Sequence, residues 1–249
     1  SWCHCIINFV TLLRCGIVYE KRLQKETMNK KVLLTGISGY IGNHCAVELL
    51  KNGYSVRGSV RNLSKTEQVI NSIKNEVDPK DNLEFCKLNL LSDDGWDEAV
   101  KGCDFVMHVA SPFINIEPKD ENEYIRPAVD GTMRALKAAK SAGIKRVVLT
   151  SSMVSMLGNA DKSIKIDSQS WTNVKGKNVS AYAKSKTLAE QAAWDFINTQ
   201  SDASKMELVV VNPGPVFGPS LSGDLSGASM SMFTQMIQGK MPMLPQASI

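Results

Sequence analysis

The chain has 249 residues, 43% of them hydrophobic and 22% charged, with a formal net charge of +4. That composition excludes a disordered chain, which has too little apolar surface to offset the entropy of ordering, and a small module held together by disulfides or metal. The positive balance is too weak to imply a nucleic-acid partner, since half of the excess falls in residues 1–27 and no basic stripe interleaves with aromatics.

The opening residues differ in texture from the rest of the chain. Their most apolar run, Ile6 to Leu13, is broken by Asn8 and Thr11 and then meets Arg14, so no membrane span is expected. They also lack the basic start, clean apolar centre and small-residue cleavage site of a signal peptide. Met28, followed by Asn29, Lys30, Lys31 and the strand-like Val32, Leu33, Leu34, reads as a natural start, and residues 1–27 as an upstream extension outside the fold. Cys3, His4 and Cys5 with Cys15 form the densest thiol group, but no second pair at zinc-site spacing completes it, so no metal is expected. Cys45, Cys86 and Cys103 fall inside apolar patterns, where cysteine acts as a small hydrophobe; this implies a reducing, cytoplasmic compartment.

From residue 31 onward, short β-branched runs alternate with longer stretches of helical period, the pattern of parallel strands joined by crossover helices. The expected strands are Lys31 to Thr35, Tyr54 to Val60, Leu83 to Leu88, Phe105 to Ala110, Arg146 to Thr150 and Glu207 to Val211. Between them apolar residues recur at three and four, as in Ile41, Cys45, Val47, Leu49, Leu50 and in Ala128, Met133, Leu136, Ala139. The pattern predicts an α/β fold, a doubly wound parallel sheet with helices on both faces. After Pro213 the texture changes to Gly, Ser, Pro and Met, including Met230, Met232, Met236, Met241 and Met243. A helix over Ser226 to Gln238, packing its methionines on neighbouring core, is expected there in preference to a flexible binding surface.

Directly after the first strand come Thr35, Gly36, Ile37, Ser38, Gly39, Tyr40, Ile41 and Gly42, opening a helix that runs to about Asn52. Glycines serve here because the turn is tight, the backbone must approach a pyrophosphate, and the helix must pack closely on the strand; the helix N-terminus then offers unpaired amides to the phosphates. Strand, glycines and helix arrive in the order a dinucleotide site requires. Arg61, 19 residues beyond Gly42, stands where an NAD-binding chain carries Asp or Glu, and a guanidinium suits the 2′-phosphate of NADP. Lys65 is either a second positive group for that phosphate or a solvated surface lysine.

Tyr182 and Lys186 open a further helix reaching about Asn198, with Leu188, Ala189, Ala192, Ala193 and Phe196 as its expected buried stripe. Residues four apart share a face, and a nearby ammonium would lower the phenol pKa as a proton donor to a carbonyl oxygen requires. The spacing alone is cheap. Its placement adds weight, because Thr150, Ser151 and Ser152 end the fifth strand at the carboxyl edge, where open α/β sheets bind ligands. Ser152 is the candidate to hold the substrate oxygen beside Tyr182, and Ser151 the alternative.

With these residues assembled, the chain resembles the extended short-chain dehydrogenases/reductases of the NAD-dependent epimerase/dehydratase superfamily, and within them the dihydroflavonol reductase-like carbonyl reductases. The resemblance runs from about Lys31 to Pro245 through the glycine turn, Val60 and Arg61, His-Val-Ala-Ser-Pro at 108–112, the serine pair, and Ser185 to Trp194. It implies a Rossmann sheet and a catalytic triad of Ser152, Tyr182 and Lys186. It also implies NADPH held by Gly36, Ser38, Gly39, Tyr40, Ile41, Gly42, Arg61, Lys65, Asn89, Leu90, the Ala110, Ser111, Pro112 edge, Thr150, Tyr182, Lys186, Pro213 and Val216, with Asn212 and Pro213 in the loop that passes the nicotinamide. His108 becomes a strand-end structural residue. A small-molecule carbonyl substrate and a homodimer are family expectations.

Three departures stand out. Asn89 replaces the family's aspartate near the adenine, and Val179, Ser180 and Ala181 precede Tyr182 in place of the Asn-Trp-Tyr-Cys-Tyr-Gly-Lys signature, which discounts coenzyme A esters as substrates. The chain also stops before the Val-Asp-Val-like strand with which the family continues. The resemblance thus implies a fragment: an NADP-binding domain over 28–212 and the start of a small, incomplete C-terminal substrate domain over 213–249. Two other readings use the same scaffold. A nucleotide-sugar epimerase or dehydratase with bound NAD is opposed by Arg61, and a non-catalytic NADP-sensing protein by the intact Ser152, Tyr182, Lys186 set.

Overall fold

The computed structural model describes residues 30–112, 118–157, 166–201, 205–225 and 227–240. The expected extension over 1–27, with Cys3, His4, Cys5 and Cys15, and also Met241 and Met243, lie outside the described residues.

Six strands, β1 (Lys31–Thr35), β2 (Ser55–Val60), β3 (Leu83–Lys87), β4 (Phe105–His108), β5 (Arg146–Thr150) and β6 (Glu207–Val211), form one sheet in the order β3-β2-β1-β4-β5-β6. Every neighbouring pair is parallel. Seven α-helices are described, besides one 3-10 turn at Leu63–Lys65: α1 (Tyr40–Lys51), α2 (Thr66–Lys74), α3 (Trp96–Val100), α4 (Asn122–Ser141), α5 (Val154–Leu157), α6 (Ala181–Asn198) and α7 (Ala228–Ile237). This is the doubly wound Rossmann arrangement, whose strand order reverses between β1 and β4.

Alternation along the strands explains why both faces need helices. Val32 and Leu34 of β1, Met107 of β4 and Val148 of β5 point into one core, with Cys45, Val47 and Leu49 of α1 and Val69 and Ile73 of α2. Leu33, Val106, Val147 and Leu149 point into the other, against Trp96 and Val100 of α3, Ala135, Leu136 and Ala139 of α4, and Ala193 and Ile197 of α6. Each large apolar side chain removed from water in this way contributes roughly 1.5–3 kcal/mol. Together the two cores make the strand ends a rigid edge on which a site can be mounted.

Most boundaries fall within a residue or two of expectation, and the exceptions have local causes. β4 stops at His108, because Thr35 Oγ1 accepts the Val109 and Ala110 N–H groups, each at 3.1 Å, and takes them off the ladder. Tyr54 precedes β2 and is buried, and Leu88 follows β3. The buried stripe of α6 is Ala189, Ala193 and Ile197, whereas Leu188, Ala192 and Phe196 are only half-buried. The helix is turned so that polar Ser185, Lys186, Thr187 and Glu190 also face inward, a pattern hydrophobic periodicity does not register. In α7, Met230 and Met236 are half-buried while Phe233 and Ile237 stay exposed, so the expected packing is partial.

Candidate active site

The glycine turn is made of backbone. Gly36 has φ +72°, and a Cβ there would lie 2.8 Å from Ala110 Cα; at Gly42 it would lie 2.1 Å from Gly36 O. Both positions therefore exclude a side chain, which brings the Ala110, Ser111, Pro112 edge against the turn and α1 against β1. At Gly39 an added Cβ would meet only Gly36 O, at 3.4 Å, so the backbone there opens outward beside exposed Ser38. Gly39 is also the N-cap of α1, with no side-chain cap and no acidic residue in the first turn. The amides of Tyr40, Ile41 and Gly42 thus stand at a helix N-terminus suited to phosphate.

Two residues unremarked in the sequence hold this turn. Asn43, fully buried, donates from Nδ2 to Ile37 O at 2.8 Å and to Gly39 O at 3.2 Å. Ser59 Oγ accepts from Gly36 N at 3.2 Å, and Ser59 O from Ile37 N at 3.3 Å, tying the end of β2 to the turn. That tie places Arg61 just beyond. Arg61 and Lys65 are exposed, and neither shares an ion pair with another described residue. Asn89 is exposed too, its Oδ1 accepting from Leu91 N at 3.0 Å, while Leu90 packs under α4 against Gly131.

Across the strand-order reversal the edge is built from side chains. Ser152 follows β5 and hydrogen-bonds the Tyr182 phenol. Tyr182 sits in the first turn of α6, whose N-terminus is fixed by Ser180 Oγ accepting from Ala183 N at 3.2 Å. Its ring meets the buried Tyr124 ring of α4 edge-on at 6.1 Å. One turn on, Lys186 is buried and donates from Nζ to Thr150 O at 3.3 Å. The loop after β6 lies alongside: Met153 N donates to Pro213 O at 2.9 Å, and Val216 N to Ser229 Oγ at 2.9 Å. Ser152, Tyr182 and Lys186, separate in sequence, therefore come together, with Pro213 beside them.

The electrostatics depart from expectation at one point. Burial raises the Tyr182 pKa above the ordinary phenol value, Ser152 opposes that by hydrogen bonding, and Tyr124 adds to the rise. The expected net lowering does not appear, because burial outweighs it; the Lys186 ammonium donates to the Thr150 carbonyl. Burial in turn lowers Lys186 to about 8, with Glu190 countering. Tyr182 is thus a neutral phenol at working pH, a donor, and Ser152 is the group that eases its ionisation.

His108 is structural in form. Thr35 Oγ1 already accepts two backbone N–H groups, so its own proton goes to His108 Nδ1, 2.9 Å away. Burial, then the charge of Lys186, drop the imidazole pKa to about 3. A small cavity behind the strand ends is lined by His108, Thr132, Thr150, Ser151, Lys186 and Glu190 among others, and Thr150 Oγ1 is buried there without a partner among the described residues. Ser151, the alternative to Ser152, donates to Glu190 Oε2 at 2.5 Å and is engaged away from Tyr182. Glu190 carried a readable signal, four residues beyond Lys186 on the same face, but apolar periodicity passes over it. Cys45 is fully buried, its thiol pushed up to about 12, and Cys86 and Cys103 are half-buried; all three are free. Among the described residues no three His, Cys, Asp or Glu side chains converge on a metal position, and no helix is long and apolar enough to cross a membrane.

A sequence profile of the NAD dependent epimerase/dehydratase family matches residues 32–246. The chain belongs to that family. Among its relatives, tetraketide alpha-pyrone reductase 1 of Arabidopsis thaliana is 39% identical over 200 residues, 78% of this chain and 60% of the relative. Cinnamoyl-CoA reductase CAD2 of Medicago truncatula is 34% identical over 216 residues, 84% of this chain and 65% of the relative. The crystal structure of yeast methylglyoxal/isovaleraldehyde reductase Gre2 complexed with NADPH superposes with a TM-score of 0.68 at 32% identity, over 76% of this chain and 59% of that one. The chain thus spans about 60% of the length of these family members, and both its fold and its sequence motifs are those of extended short-chain dehydrogenases/reductases.

Proposed function

We propose that this chain is an NADPH-dependent reductase of a small aldehyde or ketone. The observation that carries the reading is the pair formed by Ser152 and the Tyr182 phenol, set beside buried Lys186 at the strand edge that also bears the glycine turn. The fit to a dinucleotide rests on that turn, where Gly36 and Gly42 admit no Cβ and α1 begins without a side-chain cap. Its N-terminal amides and Ser38 would meet the phosphates, and Arg61 with Lys65 the 2′-phosphate. Asn89 and Leu90 would border the adenine, and Ala110, Ser111, Pro112, Thr150, Pro213 and Val216 would line the path to the reacting end.

NADPH, when bound, supplies the hydride. The chain's own residues do the rest: Ser152 orients and polarises the carbonyl oxygen, Tyr182 gives it a proton from its hydroxyl, and Lys186, while protonated, supplies a positive charge beside them. The relatives support the reading by name, since each described above is a reductase and Gre2 carries NADPH. On this reading residues 28–212 hold the cofactor and 213–249 belong to the part that meets the substrate. The activity is placed in a reducing cytoplasm, and the family expectation of a homodimer goes with it, to be checked by light scattering.

The test is carbonyl-dependent NADPH oxidation over a panel of aldehydes, ketones and 1,2-dicarbonyls, with coenzyme A esters as expected non-substrates. Tyr182→Phe is expected to lose turnover by at least about a hundredfold while NADPH binding, read by fluorescence, is kept. Undiminished turnover in Tyr182→Phe would overturn the assignment.

A further inference from the structure

We propose that Glu190 is a positioning residue of this site: one carboxylate oxygen ties the turn carrying Ser152 to the strand end carrying Asn212, while its negative charge steadies the Lys186 ammonium. The inference rests on the reductase reading for its consequence in turnover, but its geometry stands independently. Glu190 lies in the middle of α6 and is only 6% exposed. A carboxylate so placed needs compensation, and here it comes from three separate elements. Oε2 accepts from Ser151 Oγ at 2.5 Å, from Ser155 Oγ at 2.8 Å and from Asn212 Nδ2 at 2.8 Å.

Those three donors bracket the reacting residues. Ser151 and Ser155 stand on either side of Ser152, and Asn212 precedes the Pro213 loop. Asn212 Nδ2 also reaches Ser155 Oγ at 2.9 Å and Ser152 O at 3.3 Å, and Ser151 N donates to Val211 O at 2.8 Å. Removal of the carboxylate would take from the buried Ser151 hydroxyl its acceptor, and would leave Ser155 and Asn212 only the weaker tie they make to each other and to Ser152 O. The Ser152 hydroxyl can then no longer be held in register with the Tyr182 phenol.

The second oxygen serves the charge. Oε1 takes no hydrogen bond from the described residues, and Glu190 lines the cavity shared with Lys186. Of the groups facing that cavity, β4 contributes His108, which burial and then the charge of Lys186 keep neutral. α4 contributes Ala128 and Thr132, β5 contributes Leu149 and Thr150, the segments after β4 and β5 contribute Ala110, Ser111 and Ser151, and α6 adds Ala189; none of these titrates. Lys186 is therefore the one cation and Glu190 the one anion among the described residues lining it. Burial drives the ammonium towards neutrality and Glu190 resists, leaving Lys186 at about 8.

Glu190→Gln separates the two roles, since an amide carbonyl in the Oε2 position can accept the same three hydrogen bonds without the charge. The measurement is NMR titration of the full chain labelled with 13C and 15N in its lysine side chains, Lys186 being assigned by its loss in Lys186→Arg. In Glu190→Gln the Lys186 midpoint is expected to fall by about one pH unit with the thermal melt unchanged. Turnover should then fall about fivefold at pH 8 and stay near the parent's at pH 6, a pH dependence that a purely architectural residue would not produce. Glu190→Ala is expected to show the same midpoint shift and, in addition, faster amide hydrogen exchange over 151–155 and at 212. An unmoved Lys186 midpoint in Glu190→Gln, or unchanged exchange in Glu190→Ala, would overturn the proposal. The titration and the exchange need no substrate. A parent chain that reduces no carbonyl would therefore count against the reductase reading alone, and the Lys186 midpoint would still decide the role of Glu190.

Discussion

The glycine turn after β1 and the serine–lysine cluster after β5 stand on the same sheet edge, yet they are made of opposite materials. At the turn, function rests on absent side chains: a Cβ at Gly42 would sit 2.1 Å from Gly36 O, and helix α1 starts without a side-chain cap. At the cluster, function rests on buried polar side chains drawn from far apart, with Glu190 accepting from Ser151, Ser155 and Asn212, respectively 39, 35 and 22 residues distant. One region is suited to phosphate because its helix N-terminus is left uncapped by any side chain; the other is suited to hold a reacting group because Ser151, Ser155, Glu190 and Asn212 are paired with one another. The first should therefore fail by steric obstruction and the second by loss of charge or of a hydrogen bond.

The largest expected effect breaks the turn. Gly42→Val should abolish measurable NADPH binding in a fluorescence titration, a loss of at least about a hundredfold, because the branched side chain collides with Gly36 and Ile37 backbone. Normal binding would remove the turn from the site. A smaller change sharpens the claim about the ribose end: Arg61→Asp should shift the ratio of NADPH to NADH affinity about tenfold to a hundredfold towards NADH, read by parallel titrations. An unchanged ratio would leave the cofactor preference unexplained by Arg61.

The smallest effect probes the polar region alone, through acid. His108 is held neutral to about pH 3 in the folded chain but takes a proton near 6.5 when unfolded. Stability from this residue is therefore fully present above about pH 6.5 and drains away as pH falls towards 3, since only the unfolded state gains the proton. At pH 5 the loss amounts to about 2 kcal/mol. Urea melts of the parent and of His108→Gln at pH 7 and pH 5 should show the variant's acid loss to be smaller by that amount; equal losses would contradict the buried, neutral imidazole.

The same contrast governs how much could be read from the sequence. β1, β5 and β6 match their expected bounds, because parallel strands, the buried β1 and β5 and the half-buried edge strand β6 alike, leave a continuous apolar run, and Gly36, Gly39 and Gly42 announce the turn by standing between a strand and a helix. Ser152, Tyr182 and Lys186 were legible as types at strand and helix ends, and the structure brings them to one place. Asn43, Ser59, Ser155 and Glu190 were not. Each is a buried polar residue whose partner lies across the fold or in backbone, so apolar period does not mark it, and only Glu190 left a local trace, its spacing of four from Lys186. The expected stripe on α6 was right at Ala189 and Ala193 and partial at Leu188, Ala192 and Phe196, which are half-buried, because Lys186 and Glu190 occupy part of the inward face. The expected lowering of the Tyr182 pKa erred likewise, since the burial that raises it is invisible in a Tyr–Lys spacing.

The central claim is that this edge passes a hydride outward to a carbonyl. The direct measurement is a reaction with NADPH deuterated at the transferable position of the nicotinamide, with mass spectrometry of the product alcohol from the best carbonyl in the panel. One deuterium on the carbinol carbon and a matching amount of NADP+ are expected. A carbonyl recovered unreduced, with the label retained in the cofactor, would contradict the claim.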